Sequence, residues 1–569
     1  MGGGGLCCFK AFYPHQFVDC VSAESVNKVN CGAALPGKMA APAVLWRRLR
    51  GPGLVALLAR LCDRSRDRGG RTPLFLLAPL VAPTTPPVAA RHPPVSCVCP
   101  RGAHRFQWVG DLVPEFGISS SRVKVLYTPS EFYEVMKTQI KTAKKRIVMA
   151  SLYLGTGSLE QELVDCMEET LRSPDSSDLQ VSILLDFTRG SRGSRNSRTM
   201  LLPLLRRFPH RVRVSLFHTP NLRGLLRLLT PERFNETIGL QHMKIYLFDD
   251  NVILSGANLS DSYFSNRQDR YVMLQGCPEV ADFFSELVGA VGDVSLQLQP
   301  DDSVCAEDGM EHPYEGDKKK YCEAAKKRVM SVIESAQRRQ CEKNSASFQS
   351  GEPAADAETP DTWVYPLVQM KPFGIHIDEL VTETLLTEAE RGDQIYLTTG
   401  YFNLTQGYMD LLLGTRADYN ILLAAPEVNG FYGARGIAGS IPAAYVHIER
   451  QFYDELSRQG QQHRVRLQEY FRDLWTFHAK GLWLYPAGAQ LPCLTLIGSP
   501  NFGYRSVHRD LETQIALVTE NQELQRQLDQ EQRNLYSLSS RVSQATFQHP
   551  SRHVKLWVKL VTPLIKNFF

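Results

Sequence analysis

The 569-residue chain has no uninterrupted apolar run of 18 residues; its most apolar stretch, "PLFLLAPLVAPTTPPVAA", is broken by prolines. A helix that crosses a bilayer needs about 18 or more such residues, so no integral membrane span is expected. A strong charge bias is also missing. Lys and Arg number 64 against 60 acids, and a formal charge of +4 does not by itself imply a nucleic-acid partner. Of the 13 cysteines only Cys97 and Cys99 approach a ligand-like spacing, with no second pair and no following histidine pair. The thiols therefore read as reduced, and no metal site is expected.

What is present suits a large globular protein, since 43% of the residues are apolar and the length allows two similar domains. The N-terminal region stands apart. Residues 39–71 carry eight arginines against two aspartates, with an apolar helical pattern at Leu54, Leu57, Leu58 and Leu61. That is the composition of a mitochondrial transit peptide. Because it begins at Met39, residues 1–38 read as an upstream extension.

From about residue 120 the pattern is helix and strand in alternation, and three strands occur twice in the same order. "RIVMASLYLGTG" answers "QIYLTTGYFNLT", with Tyr153 and Tyr401 standing 248 residues apart. "VSILLDF" answers "YNILLAA" at an offset of 238, and "HMKIYLF" answers "HAKGLWLY" at 236. Near-constant offsets over three elements indicate duplication. The expected organisation is an extension (1–38), a transit segment (39–90), a first half (105–300), a charged helix and flexible linker (301–361), a second half (362–520) and a C-terminal helix with a basic amphipathic tail (521–569).

Residues two apart on a strand point to one side, so His242 and Lys244 project together, as do His478 and Lys480. A lone His-x-Lys carries little information; His553 and Lys555 make a third, with nothing suitable after it. The other two continue into "LSGANLSDSYFSNRQD" and "LIGSPNFGYRSVHRDLE". Each provides a glycine turn, an asparagine, and an acid eleven places beyond it: Asn258 with Asp269, and Asn501 with Glu512. A single copy fits a polar hairpin equally well, but two matched copies point to one shared site. Two imidazoles can divide attack on phosphorus and proton transfer between them, while lysines and asparagines hold the phosphoryl oxygens. The acids are expected to orient the imidazoles.

"HMKIYLFD" with "SGAN" and "HAKGLWLY" with "GSPN" resemble the paired His-x-Lys-x4-Asp signature of the phospholipase D superfamily. The flanking "SGANLSDSYFSNRQDRY", "LIGSPNFGYRSVHRDLE" and "YLTTGYFNLT" look like its mitochondrial branch that makes phosphatidylglycerophosphate, over roughly residues 105–569. The resemblance implies an α/β duplicated phospholipase D-like fold, two α/β/α sandwich halves with the active site at their pseudo-twofold interface. It implies a phosphatidyltransferase using CDP-diacylglycerol and glycerol 3-phosphate, with no cofactor, no metal and no nucleic acid, peripheral on an anionic membrane at the matrix face of the mitochondrial inner membrane. It places His242, Lys244, Asp249, His478 and Lys480 among the catalytic residues, with His242 as nucleophile and Asn258, Asp269, Asn501, Glu512 and Ser499 in support.

The sequence departs from the signature in two places. Tyr485 stands where the second aspartate belongs, and Gly256-Ala257 replaces the usual Gly-Ser. The odd spacing from His242 to Asp249 turns the aspartate to the other side of a regular strand, so on parity it supports the hairpin more than the reaction. The stretch Ala150, Ser151, Leu152, Tyr153, Leu154, Gly155, Thr156 and Gly157 is a candidate nucleotide-phosphate cradle at a strand end. It has no P-loop lysine.

Three readings compete: the transferase, a phospholipase or nuclease of the same superfamily in which water replaces the alcohol, and an inactive lipid-binding module. A nuclease would favour a basic stripe with stacking aromatics. "RGSRGSRNSR" at 189–198 has four arginines and no aromatic, which suits phosphates of a small acceptor or a lipid. The terminal "HVKLWVKLVTPLIKNFF" alternates lysines with large apolar residues and reads as an interfacial segment.

Overall fold

Strands buried on both faces of a parallel sheet read as continuous Val, Ile, Leu and Met runs, and each half of the chain supplies three of them. In the computed structural model, which describes residues 105–350 and 359–568, these runs lie at the centre of two large sheets. Arg146–Ala150 pairs in parallel with Gln180–Asp186, which pairs in parallel with Val212–Phe217. On its other side Arg146–Ala150 meets Ile245–Phe248 in antiparallel register. Asn251–Ser255, Tyr271–Leu274 and Val123–Leu126 follow outward, each antiparallel to the last.

The second sheet repeats this arrangement. Gln394–Thr399 is parallel to Asp418–Ala424, which is parallel to Val465–Tyr470. On the opposite side come Gly481–Tyr485, Leu494–Gly498, Glu512–Thr519 and Thr362–Met370, all antiparallel. The strand order and directions thus recur, as the sequence offsets anticipate. One segment crosses over: Phe116–Ile118 precedes the first half in the chain but pairs with Thr362–Val364 at the edge of the second sheet. All described residues except 433–439 belong to one compact unit.

Between the halves runs the helix Lys318–Ser350. It buries Tyr321, Ala325, Val329, Ile333 and Ala336, a three-to-four-residue stripe that packs against the helix Pro278–Gly292. Its lysines 318–320, 326 and 327 are exposed. The sequence reading places a flexible linker after Cys341; the helix instead continues to Ser350, because no glycine or proline interrupts residues 318–350. Residues 1–104, which include the extension, the transit segment and Cys97 and Cys99, lie outside the described residues, as do 351–358.

A buried arginine ties the first sheet to the second. Arg270, only 1% exposed, donates to both carboxylate oxygens of Glu531 at 2.9 and 2.8 Å, to the carbonyl of Leu496 at 2.8 Å and to the hydroxyl of Thr495 at 2.7 Å. Its guanidinium lies 3.7 Å from the centroid of Trp483, whose indole N–H donates to the same carboxylate. Every charge is paired, so the cluster is stable as a unit and costly to break in part. Arg270→Leu leaves the Glu531 carboxylate buried without its cation and is expected to cost about 3–5 kcal/mol. Urea unfolding of the purified variant against the parent chain checks this.

Candidate active site

His242 lies just ahead of the strand Ile245–Phe248, and His478 just ahead of Gly481–Tyr485. Each is docked on the opposite half. The His242 N–H donates to the carbonyl of Leu511 at 2.8 Å, and the Leu511 N–H to Leu240 at the same distance. In the mirror arrangement the His478 N–H donates to Gln268 at 2.8 Å, and Thr476–Phe477 pairs in parallel with Arg267–Gln268. Both acids therefore serve the histidine of the other half. Nδ1 of His242 lies 2.8 Å from Glu512 Oε2, and Nδ1 of His478 lies 2.6 Å from Asp269 Oδ2. Nδ1 of His478 also lies 2.8 Å from Lys480 Nζ. An ionised carboxylate only accepts, and it is the nearer partner at His478, which puts the hydrogen on each Nδ1 and leaves each Nε2 a lone pair.

The lysines belong to the same buried cluster. Lys244 Nζ donates to the His242 carbonyl at 2.6 Å, and Lys480 Nζ to the His478 carbonyl at 2.7 Å, 3.6 Å from Asp269. Asn258 and Asn501 each leave Oδ1 buried with no hydrogen-bond partner among the described residues. Orphaned acceptors at matched places in both halves are matched by a ligand's hydrogen-bond donor, such as a hydroxyl, and not by a phosphoryl oxygen. Ser499 supports Glu512 from behind: its hydroxyl donates to the carbonyl of Thr513 and accepts from the Thr513 N–H, both at 3.1 Å. The equivalent position in the first half is Gly256, where a Cβ would come within 2.6 Å of Asp269 and 2.7 Å of Lys480 Nζ. Aligned on Asn258 and Asn501, the serine of Gly-Ser falls at Gly256 and not at Ala257, and this packing crowds a side chain there.

Burial dominates the electrostatics. It pushes the His242 imidazole down to about 4 against the pull of Glu512, and pushes His478 well below its ordinary value, with Lys480, Arg267 and Lys244 adding to the effect. Lys244 also falls well below its ordinary value through burial, and Lys480 falls to about 8. Burial raises Asp269; Glu512, though burial pushes it upward, is held low by His242 and Lys244. Both imidazoles are thus neutral at pH 7, and a phosphate anion entering the cluster would favour protonation of every cationic group around it. Neutral Nε2 beside latent positive charge is what attack on an anionic phosphorus centre requires.

No protein-family model matches the chain. The mitochondrial CDP-diacylglycerol–glycerol-3-phosphate 3-phosphatidyltransferases of mouse and human are each 69% identical to it, over 93% and 94% of this chain and the full length of each relative. The Saccharomyces cerevisiae enzyme of that name is 34% identical over 79% of this chain and 88% of its own. The chain belongs to this phosphatidyltransferase family. A solved phosphatidylserine synthase from Haemophilus influenzae matches with a TM-score of 0.60 at 19% identity, over 82% of this chain and all of its own. That likeness gives the phospholipase D-like α/β fold.

Against the family's signature, Asp249 does not join the cluster. It sits in the turn beyond the strand with φ +51°, and its carboxylate accepts from the amides of Lys144, Lys145 and Arg146 at 2.9, 2.7 and 3.0 Å. The assignment of Asp249 to catalysis is corrected: the residue fastens the hairpin to the loop before Arg146, and Tyr485 can replace its counterpart because that position is structural. The phosphate cradle at 150–157 is corrected too. The amides of Ser151, Leu154 and Gly155 already donate to Leu184, Ser197 and Leu259. Carboxylates of Glu160 and Asp261 close on Gly155 and Gly157, and burial raises Glu160 to about 8. An anion would meet acids there. In the arginine-rich loop, Arg192 pairs with Glu236 and Arg198 with Asp302.

The sequence reading missed three residues of the site. Tyr263 Oη lies 3.2 Å from Nε2 of His478, Arg267 sits 4.7 Å from the Tyr263 ring centroid, and Tyr401 presents its ring 5.8 Å from that of His478. Tyr401 was legible as a repeated position, aligned with Tyr153; Tyr263 has serine, Ser506, at its counterpart and gave no repeat signal. Glu512→Gln and Asp269→Asn are each expected to lower kcat by about a hundredfold or more, whereas Asp249→Ala costs about 1–3 kcal/mol of stability and leaves kcat of the folded enzyme within about twofold. Steady-state rates normalised to folded protein, alongside thermal unfolding, separate the two effects.

Proposed function

We propose that this chain transfers the phosphatidyl group of CDP-diacylglycerol to glycerol 3-phosphate, releasing CMP and giving phosphatidylglycerophosphate, the committed step toward phosphatidylglycerol and cardiolipin. Two buried His–carboxylate pairs, built reciprocally between the halves of a chain of this family, carry the reading. Nε2 of His242 attacks the phosphatidyl phosphorus; the P–O bond to CMP breaks, and His478, protonated on Nε2, gives its proton to the departing oxygen. Neutral His478 then takes the proton of the glycerol 3-phosphate hydroxyl. The new alkoxide oxygen bonds to phosphorus as the N–P bond breaks, and His242 returns unmodified. Lys244 gains charge beside the phosphate, Lys480 at about 8 already carries it, and the two hold its oxygens through the transition state.

The reading includes a mitochondrial, peripheral enzyme on the matrix face of the inner membrane, which fits relatives named as mitochondrial. No helix among the described residues is long and apolar enough to cross a membrane. The helix Leu556–Ile565 buries Val558 and Thr562 and exposes Leu556, Trp557, Leu560 and Leu564 between Lys555, Lys559 and Lys566. An apolar ridge flanked by lysines suits the interface of an anionic bilayer. Truncation after Gln548 would remove this helix and also Arg552, which holds Glu427 and Glu469. Leu556→Gln with Leu560→Gln is the cleaner test: liposome co-sedimentation should fall while activity on micellar substrate is kept, and unchanged sedimentation removes the helix from membrane contact.

Purified protein given CDP-diacylglycerol should release CMP and make phosphatidylglycerophosphate only with glycerol 3-phosphate present; phosphatidic acid formed at the same rate without it would mark a hydrolase. His242→Ala and His478→Ala should each cost about three or more orders of magnitude in kcat, and the double variant little more, because the two act as a unit. The lysines and imidazoles supply the positive charge that a divalent ion provides elsewhere. The family of membrane-spanning CDP-alcohol phosphotransferases opens its metal site with Asp-x2-Asp-Gly, whereas the one Asp-Gly here, Asp308-Gly309, follows Val304 and Cys305. Activity in detergent micelles should persist in excess EDTA. Complete loss restored by Mg²⁺ would contradict the two-histidine route.

A further inference from the structure

Duplication gives the two histidines equivalent backbone docking and a carboxylate each at Nδ1, and chemistry requires them to differ. One difference is at Nδ1, where His478 also meets Lys480 Nζ at 2.8 Å while Lys244, among the described residues, reaches only the His242 carbonyl. The larger one lies at Nε2. Tyr263, on the short helix Asp261–Ser265, is 3% exposed and places its hydroxyl 3.2 Å from Nε2 of His478. The same hydroxyl accepts from the Asn258 side-chain amide at 3.2 Å. With Nδ1–H committed to Asp269, Nε2 is an acceptor, so the phenol hydrogen points at it. Five residues beyond Asn501 the second half has Ser506, whose hydroxyl turns away and donates to Glu512 Oε1 at 2.7 Å. Nε2 of His242 has no hydrogen-bond partner among the described residues, and His242 is the more exposed of the two, 8% against 4%.

We propose that Tyr263 is the positioning residue that breaks the twofold equivalence of the site: its hydroxyl occupies Nε2 of His478 and reserves it for proton transfer, leaving Nε2 of His242 as the open nucleophile. This rests on the two-histidine reading above. The phenol favours the neutral state of the acid/base residue. It donates to neutral His478; once Nε2 is protonated there is no lone pair to donate to, the hydroxyl turns away, and the Nε2–H is free to face the departing oxygen. Burial holds the phenol well above its ordinary value, so Tyr263 stays protonated and is not itself the base. Its ring packs edge-on against His478 with centroids 5.1 Å apart and under the Arg267 guanidinium, which fixes the imidazole plane as well as the hydroxyl.

The consequence is measurable because a hydrogen bond donated to neutral imidazole disfavours its protonated form. Removing the donor raises the His478 pKa, and strengthening it lowers that pKa. The two-histidine mechanism needs His478 protonated at its first step, so the alkaline limb of the kcat/KM profile reports it. Tyr263→Phe is expected to move that limb to higher pH by about half a unit to one unit, with the acid limb fixed. Incorporating 3,5-difluorotyrosine at position 263, a stronger donor of nearly the same shape, is expected to move it to lower pH. Opposite shifts establish the role. Unmoved limbs in both proteins, or shifts of the same sign, overturn it even if kcat falls. If Tyr263→Phe does not fold, the fluorinated protein alone decides by the direction of its shift. His478→Ala retaining more than about a tenth of the rate would instead overturn the underlying mechanism.

Discussion

The structure turns on an exchange of carboxylates. Glu512 of the second half holds Nδ1 of His242, and Asp269 of the first half holds Nδ1 of His478. Neither half can orient its own imidazole, so neither half contains a working site, and duplication with retention of both copies follows from the chemistry. The exchange also sets the geometry between the halves. The backbone bonds that carry it, His242 to Leu511 and His478 to Gln268, are short parallel pairings between strand ends of opposite halves. Arg270, one residue past Asp269, reinforces the same seam through Leu496, Thr495 and Glu531.

Burial gives this seam its chemical character. Two lysines, two histidines and two acids in a water-poor cluster are worth far more to each other than on a surface, but only while charges balance. Without substrate the balance is reached by lowering the lysines and histidines toward neutrality. A phosphodiester carries the negative charge the cluster lacks, so binding of the correct ligand switches on the groups that stabilise its reaction.

Much of this was legible in the sequence because it repeats. Strand order, the two His-x-Lys pairs, the two asparagines and the two acids appear as matched positions, and matching separates His242 and His478 from the unrelated His553. What could not be read was anything that depends on which parts of a chain meet in space. The crossing of Asp269 and Glu512 is a tertiary fact with no local signature. Asp249 carries the family's spacing but, by strand parity and a left-handed turn, points into the loop at 144–146. The glycines of 150–157 look like an anion cradle until Glu160 and Asp261 are seen to fill it. Tyr263 broke the repeat, and a method that looks for repeats passes over the residue that makes the halves unequal.

Reciprocal support of the histidines is most directly tested by loading the enzyme once with CDP-diacylglycerol labelled in the phosphatidyl phosphorus, without acceptor, and measuring labelled protein after rapid quenching. Glu512→Gln should fail to accumulate label, because the histidine it supports, 270 residues earlier in the chain, is the nucleophile of the proposed route. Asp269→Asn should still load on His242, but slowly, because His478 is the acid that lets CMP leave, and should also discharge slowly when glycerol 3-phosphate is added, because His478 is then the base; it thus reaches a labelled state that Glu512→Gln does not. The opposite pattern, with Asp269→Asn blocking loading and Glu512→Gln blocking only discharge, would contradict the exchange between halves.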